Sequence, residues 1–385
     1  MSTPENPFTG AEPLAPAEPQ ELTTAQEPQP PVADAGVRFP VWTLGDVART
    51  VIVLILAMFF CGFLAAMIAG AAATSRHLDP KQVIGSPLIL IPAQFAAYVL
   101  TIWFVVRMIS VHYGTPFFEG VHWHFPRSRW ALFLGGGVLL AIFIQVLSGV
   151  LPIPKQLPID QYFRNGASAW AMTFFGVLVA PFAEELFFRG LLFPALTVEL
   201  SERLKTLDGR LYVSGWISGI LIWGVAVKFA PKDFFIAAAV VGIIATVGLL
   251  IRGAEIAPVA VFWATFAPRS MPTFWGAVAP LALFVVLIWI RNSNLNTAEA
   301  SQRFAFLSSF LFVAWAFALT HAAQLGRAWA PVLMLFIVGM VLTFLRARFQ
   351  SVSASVLVHM GYNASLFAAA MLATDGFRHM EKLAR

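Results

Sequence analysis

The chain alternates between long runs of uncharged, mostly apolar residues and short polar connections. Residues 50–73, 86–106, 130–154 and 165–183 each lack Asp, Glu, Lys and Arg. A helix that spans the hydrocarbon core of a bilayer needs about 20 such residues. The pattern therefore predicts a protein that crosses a membrane several times.

Hydropathy along the whole chain predicts roughly eleven membrane segments. Residues 167–183 and 184–200 are either one helix kinked at Pro181 or two helices. Residues 257–290 contain four prolines, which favour a broken or re-entrant path. The predicted fold class is all-α, a polytopic transmembrane helix bundle. The predicted segments are 48–73, 86–111, 130–151, 167–183, 184–200, 211–229, 234–251, 257–290, 304–323, 328–346 and 351–373.

Composition supports a lipid environment. Of 385 residues, 59% are hydrophobic and 12% are charged, against about 25% charged in soluble domains. The net charge of +5 is spread over connections without a basic block, so membrane lipid is the expected surroundings and nucleic acid is not an expected partner. Residues 1–40 are acidic and rich in proline, which predicts a disordered tail. An acidic tail of this kind looks like a segment that is not translocated across the membrane, which favours a cytoplasmic N-terminus.

The first group of polar residues is Glu184, Glu185 and Arg189. On a helix, Glu185 and Arg189 are four residues apart and can form an ion pair on one face. Glu184 is rotated by about 100° from its neighbour and points elsewhere. The alternative is a helix emerging into water, but residues 190–196 are again apolar. The pattern favours one paired carboxylate and one that is available for chemistry.

The other groups are His321, which ends an uncharged run, and the pair His359 and Asn363, which share a helical face. Each histidine alone is more typical of a membrane interface than of catalysis. An unpaired asparagine amide in an apolar run is costly, however. We therefore expect all of these side chains to meet in one convergent site.

Such a site has two chemical interpretations. A carboxylate beside a neutral imidazole can deprotonate a water molecule, while a second imidazole and an amide N–H stabilise an oxyanion. Alternatively, Glu184, His321 and His359 are ligands for zinc with one open position. The spacing is not that of a His-Glu-x-x-His zinc helix, and the residues favour the metal-free chemistry with no cofactor. A proton relay in a transporter is a third reading, although no internal repeat is visible.

The order Glu-Glu-x-x-x-Arg, Phe-x-x-x-His and His-x-x-x-Asn resembles the CPBP intramembrane proteases, also called the Abi or type II CAAX prenyl protease family. The resemblance covers about 165–200 and 304–373, and the sequence at 184–193 is similar to that of bacterial members. It implies a peptide or protein substrate, prenylated in the eukaryotic branch, and a bacterial inner-membrane location. Members have been described both as metalloproteases and as metal-independent enzymes.

The same resemblance implies a role for each residue. Glu184 is the base, and His321 helps to position the water. His359 and Asn363 form the oxyanion hole, while Glu185 and Arg189 orient and neutralise the site. A catalytically silent scaffold or a bacteriocin-immunity protein with this fold is the alternative function.

One departure from the family pattern is the 131 residues between Arg189 and His321. We interpret residues 205–303 as inserted membrane segments, between a catalytic core of 165–200 and 304–373. Residues 41–164 form the N-terminal membrane helices. An even number of added crossings keeps the second motif on its proper side of the membrane, whereas an odd number inverts it.

Overall fold

The computed structural model of the protein describes residues 39–154, 156–163, 165–206 and 298–379. Within these ranges the chain is helical and contains no strand. Seven of the described helices are long and apolar enough to cross a membrane. The prediction of an all-α polytopic bundle is confirmed. The predicted tail up to residue 38 and the predicted segments 211–229, 234–251 and 257–290 lie outside the described residues.

The membrane helices are numbered here in chain order. Short helices at Pro80–Ile84 and Phe117–Gly120 and a 3₁₀ turn at Pro158–Phe163 lie in the connections. Helix α5 begins at Ala298, three residues before its apolar span. The spans are α1 (Leu44–Ser75), α2 (Pro87–His112), α3 (Trp130–Ser148), α4 (Gly166–Leu204), α5 (Ser301–Thr320), α6 (Trp329–Phe349) and α7 (Val352–Ala373).

Large apolar side chains remain on the outside of these helices. On α1, Leu56, Phe59, Phe60 and Phe63 are all more than half exposed. Apolar surface of this extent is unusual for a soluble monomer, but it is the ordinary covering of a helix in hydrocarbon, where lipid tails replace the missing neighbours. The chain is an integral membrane protein.

Helix α4 settles the two alternatives for residues 167–200, because the chain runs through both segments as one helix. Two π-helical stretches widen it, at Phe175–Val179 and at Leu186–Leu192. Each stretch directly precedes a helical turn that contains a proline, Pro181 or Pro194. A proline lacks the N–H that an α-helix requires and crowds the carbonyl one turn earlier. The wider turns accommodate both prolines without breaking the helix.

Helices α3 and α7 cross in backbone contact, which fixes the position of α7. A Cβ atom added to Gly361 would lie 2.2 Å from the carbonyl oxygen of Leu134, and one added to Gly137 would lie 2.2 Å from that of Val358. Only glycine permits this approach, as is common where membrane helices cross. Because His359 lies between Val358 and Gly361 on α7, the crossing also determines the depth of the predicted site.

The described parts of α4 and α5 meet at one end of the bundle. The Ser301 hydroxyl donates a hydrogen bond to the carbonyl oxygen of Ser201 at 2.6 Å. The chain therefore leaves α4 and enters α5 on the same side. The contact places α5, which carries the second motif, beside α4, while the number of added crossings lies outside the described residues.

The crossing of α3 and α7 yields a stability prediction. Gly361→Ala inserts a methyl group against the backbone of α3, and overpacking of this kind costs about 1–3 kcal/mol. We expect a clear drop in the midpoint of thermal unfolding in detergent. Gly135→Ala is the matched control on α3, since no heavy atom lies within 4 Å of the added Cβ. Equal midpoints for the two variants would contradict the backbone contact.

Candidate active site

The two adjacent glutamates of α4 face different surroundings. The Glu184 side chain is 15% exposed and lines a cavity, whereas the Glu185 side chain is fully buried. Consecutive residues on a helix differ by about 100° in direction, so one turn presents one carboxylate to the cavity and the other to the protein interior. The sequence predicted this division.

Glu185 forms a buried ion pair with Arg189. The guanidinium Nη1 donates to Glu185 Oε1 at 2.8 Å. The remaining donors reach α6, with Nη2 3.0 Å from the carbonyl oxygen of Gly339 and Nε 3.3 Å from Thr343 Oγ1. The guanidinium carbon also lies 4.6 Å from the centroid of the Phe317 ring on α5. The arginine therefore contacts three helices, and its hydrogen bonds offset the cost of burying its charge.

Glu185 also holds His359 of α7. Its Oε1 lies 2.9 Å from His359 Nδ1. A carboxylate only accepts, so the imidazole donates from Nδ1, and in its neutral form it carries no proton on Nε2. That Nε2 faces the cavity, 3.9 Å from Glu184 Oε2. The carboxylate thus determines both the orientation and the tautomer of His359.

His321 follows the last residue of the α5 span. Its Nδ1 lies 3.0 Å from the carbonyl oxygen of Phe317, and its Nε2 lies 3.6 Å from Glu184 Oε1. Burial disfavours the protonated imidazole, but the charge of Glu184 and the hydrogen bonds to Glu184 and to the Phe317 carbonyl together outweigh burial and hold the pKa of His321 above its ordinary value. The two histidines therefore flank Glu184, one at each carboxylate oxygen.

Asn363 lies one helical turn beyond His359. Its Nδ2 donates to the carbonyl oxygen of Gly176 at 2.6 Å, in the first π-helical stretch of α4. A primary amide carries two N–H groups, so the second N–H is left for a partner in the cavity. The amide is positioned by backbone and is itself half-buried.

A cavity of about 380 Å³ joins these residues. Glu184, His321, His359 and Asn363 all line it, and Glu185 and Arg189 lie behind its wall. The structure therefore brings four of the six predicted side chains around one space and places the other two in support. Most of the remaining wall is apolar and includes Ile91, Leu157, Phe175, Leu335 and Phe367.

Glu184, His321 and His359 are the side chains that could bind a metal ion in this cavity. In the part of the chain that the structure describes, no group of three or more His, Cys, Asp or Glu side chains has an arrangement suited to a metal ion. The Nδ1 atoms of both histidines are taken by Phe317 and Glu185, which leaves only the Nε2 atoms toward Glu184. What the arrangement offers chemically is a carboxylate between two imidazoles, with an amide N–H one turn away.

Two residues that hold Arg189 in place were not predicted from the sequence. Thr343 accepts from Arg189, and Arg346 is buried and donates from Nε to the carbonyl oxygen of Arg189 at 3.1 Å. Arg346 lies in the last turn of α6, where a basic residue ordinarily indicates a membrane interface. Arg346 lies three residues after Thr343, so the two share a helical face. This spacing is the feature of the sequence that could have indicated a joint role.

The fold and the site define a polytopic membrane protein with a carboxylate–imidazole cluster inside its helix bundle. The chain matches the family model described as type II CAAX prenyl endopeptidase Rce1-like, over residues 166–267 and 293–365. It belongs to this family, which confirms the resemblance drawn from the three motifs. No curated protein and no solved structure matches the chain.

The matched residues include every predicted site residue. The match continues through residue 267, into the segment interpreted as an insertion, and residues 268–292 are unmatched. Because nearly all of 205–303 lies outside the described residues, its assignment as an insertion stays a prediction.

The buried ion pair yields a second prediction. Arg189→Met leaves the Glu185 carboxylate buried without its cation, and breaking a buried pair in this way costs about 3–5 kcal/mol. We expect a large drop in the thermal midpoint in detergent. Combining it with Glu185→Gln removes the stranded charge and restores part of the loss.

The control is the pair of Glu299 and Arg303, which has the same spacing but is largely exposed, at 73% and 79%. Arg303→Met is expected to change stability by no more than about 0.5 kcal/mol. Similar losses at Arg189 and Arg303 would show that burial of the pair is not what stabilises the bundle.

Proposed function

We propose that the protein is an intramembrane endopeptidase that hydrolyses a peptide bond of a membrane-associated or prenylated CAAX-type protein. The observation that carries the proposal is the Glu184 carboxylate, with an imidazole Nε2 within 4 Å of each of its oxygens, on a cavity between membrane helices. Family membership supports the CAAX-type endopeptidase fold. The resemblance suggests the role of each residue, and the geometry of the site supports it.

Glu184 is the general base in this proposal. A water molecule beside the carboxylate is also within reach of His321 Nε2, since the two side chains are 3.6 Å apart. Glu184 accepts the proton while the water oxygen attacks the scissile carbonyl carbon. His321 Nε2, 3.6 Å from Glu184 Oε1, is placed to take that proton and to pass it to the departing amine as the C–N bond breaks.

His359 and Asn363 form the oxyanion hole. The free N–H of Asn363 is one donor. His359 already donates from Nδ1 to Glu185, so it donates from Nε2 only as an imidazolium. Glu185 accepts from Nδ1 at 2.9 Å, which keeps Nε2 directed into the cavity, 3.9 Å from Glu184 Oε2. Donors that are fixed before the reaction stabilise the charge that develops on the carbonyl oxygen.

The proposed reaction uses no cofactor. Substrate identity, prenyl dependence, the bacterial inner membrane and the cytoplasmic N-terminus stay predictions of the sequence. A scaffold or immunity protein needs the helix bundle but not the Glu184 carboxylate, so one substitution separates it from an enzyme.

Glu184→Gln keeps the shape of the side chain and removes the base. Loss of a general base lowers turnover by about 10²–10⁴-fold, and we expect kcat to fall in this range with little change in KM. The measurement is cleavage of a farnesylated CAAX peptide and of a membrane-peptide library by the purified protein in detergent.

The matched control is Glu202→Gln, near the end of the same helix, where the side chain is 53% exposed and pairs with Lys205. Full activity is expected for this variant. Equal cleavage by wild type and Glu184→Gln would remove Glu184 as the base.

Treatment with a strong chelator tests the proposed metal independence. Turnover by the wild-type protein is expected to stay unchanged after incubation and removal of the chelator, measured on the same peptide. A loss of activity that added Zn²⁺ restores would instead assign ligand roles to Glu184, His321 and His359.

A further inference from the structure

The cavity has a polar residue that belongs to none of the three motifs. Gln94 lies within α2, outside the residues matched to the family, and lines the same cavity as Glu184 and Asn363. An amide side chain in the interior of a membrane helix is costly unless it is hydrogen-bonded. Its placement at the cavity wall therefore requires a partner.

One of these hydrogen bonds is made inside α2. Gln94 Nε2 donates to the Tyr98 hydroxyl at 3.0 Å, one turn further along the helix. Among the described residues this is the hydrogen bond that the Gln94 side chain makes, and it uses one N–H. The second N–H and the carbonyl oxygen Oε1 are left for the cavity.

The position of the amide relative to the reacting groups is set by a chain of contacts. The Tyr98 ring stacks on Phe175 with centroids 5.7 Å apart. Phe175 precedes Gly176, whose carbonyl oxygen accepts from Asn363. Gln94 is thus held on the stretch of wall that also positions Asn363.

A peptide substrate brings its own polar groups into this space. The main-chain N–H and C=O groups on either side of the scissile bond leave water when they enter an apolar cavity, and each needs a partner. The remaining N–H and the carbonyl oxygen of the Gln94 amide lie side by side. They can therefore pair with a peptide main chain in the way that the backbone of a neighbouring β-strand does. Gln94 presents both on the wall of the cavity that Glu184 and Asn363 also line.

We infer that Gln94 is a substrate-positioning residue, which binds the main chain of the peptide beside the scissile bond while Tyr98 fixes its amide. The inference rests on the proposed function and adds the mode of substrate recognition. It predicts that part of the affinity depends on the peptide backbone and is independent of side-chain sequence.

The test measures binding, so that it does not depend on cleavage. The protein carries Glu184→Ala, and the probe is a fluorescein-labelled, farnesylated CAAX peptide whose fluorescence anisotropy reports the Kd. Adding Gln94→Leu is expected to raise the Kd about tenfold. Tyr98→Phe, which loosens the amide, is expected to raise it about threefold and to have no further effect once Gln94 is leucine.

Gln145→Leu is the matched control, since Gln145 is a glutamine of α3 that is exposed and does not line the cavity. Its Kd is expected to stay within twofold. A set of probes in which an ester replaces one amide at a time tests backbone recognition directly. One position near the scissile bond should weaken binding when Gln94 is present and have no effect when it is leucine.

An unchanged Kd for Gln94→Leu, or ester effects that are equal with and without Gln94, would overturn the inference. Failure of the probe to bind any variant would overturn it together with the substrate class. Binding that depends on Gln94, combined with no cleavage when Glu184 is intact, would support the inference and reject the proposed hydrolysis.

Discussion

The buried ion pair between Glu185 and Arg189 is the interaction on which the rest of the bundle depends. Two charges removed from water are tolerated when they are paired at close range and most of their polar atoms are hydrogen-bonded. Here the donors of Arg189 reach α6, its guanidinium faces a ring of α5, and Glu185 binds the imidazole of α7. One pair of opposite charges on α4 therefore positions three other helices, and the cavity is the space between them.

The pair also determines which groups are free for chemistry. Glu185 and Arg189 neutralise each other behind the wall, while the next carboxylate along the helix is turned into the cavity. The crossing of α3 and α7 at Gly137 and Gly361 sets the height at which His359 meets that carboxylate. Backbone contact is rigid because it leaves no side chain to rearrange. The site is therefore fixed by the ion pair of α4 and by the close backbone packing of α3 against α7.

Hydropathy was enough to predict where the described membrane helices lie, and helical spacing was enough to predict the pairing of Glu185 with Arg189 and the common face of His359 and Asn363. It was insufficient wherever a partner came from a distant part of the chain. Nothing local indicates that Gly176 accepts from Asn363, or that Thr343 accepts from Arg189. The continuity of α4 past Pro181 was equally open, because a π-helical turn is an adjustment to packing and prolines alone do not specify it.

The hydrogen bond from His359 Nδ1 to Glu185 connects the ion pair to the proposed chemistry. A cluster in low dielectric is most stable when its charges balance. Arg189 balances one of the two carboxylates, Glu185, behind the wall, so the charge of Glu184 is balanced from the cavity side. Under the proposed hydrolysis, the proton taken from water moves from Glu184 toward a neighbouring imidazole and then to the departing amine, so charge is relocated within the cluster and none is created. A reaction arranged in this way avoids the cost of generating an isolated charge inside the membrane. The ion pair of Glu185 and Arg189 keeps its charges throughout, so the transferred proton is the one charge that moves in the proposed reaction.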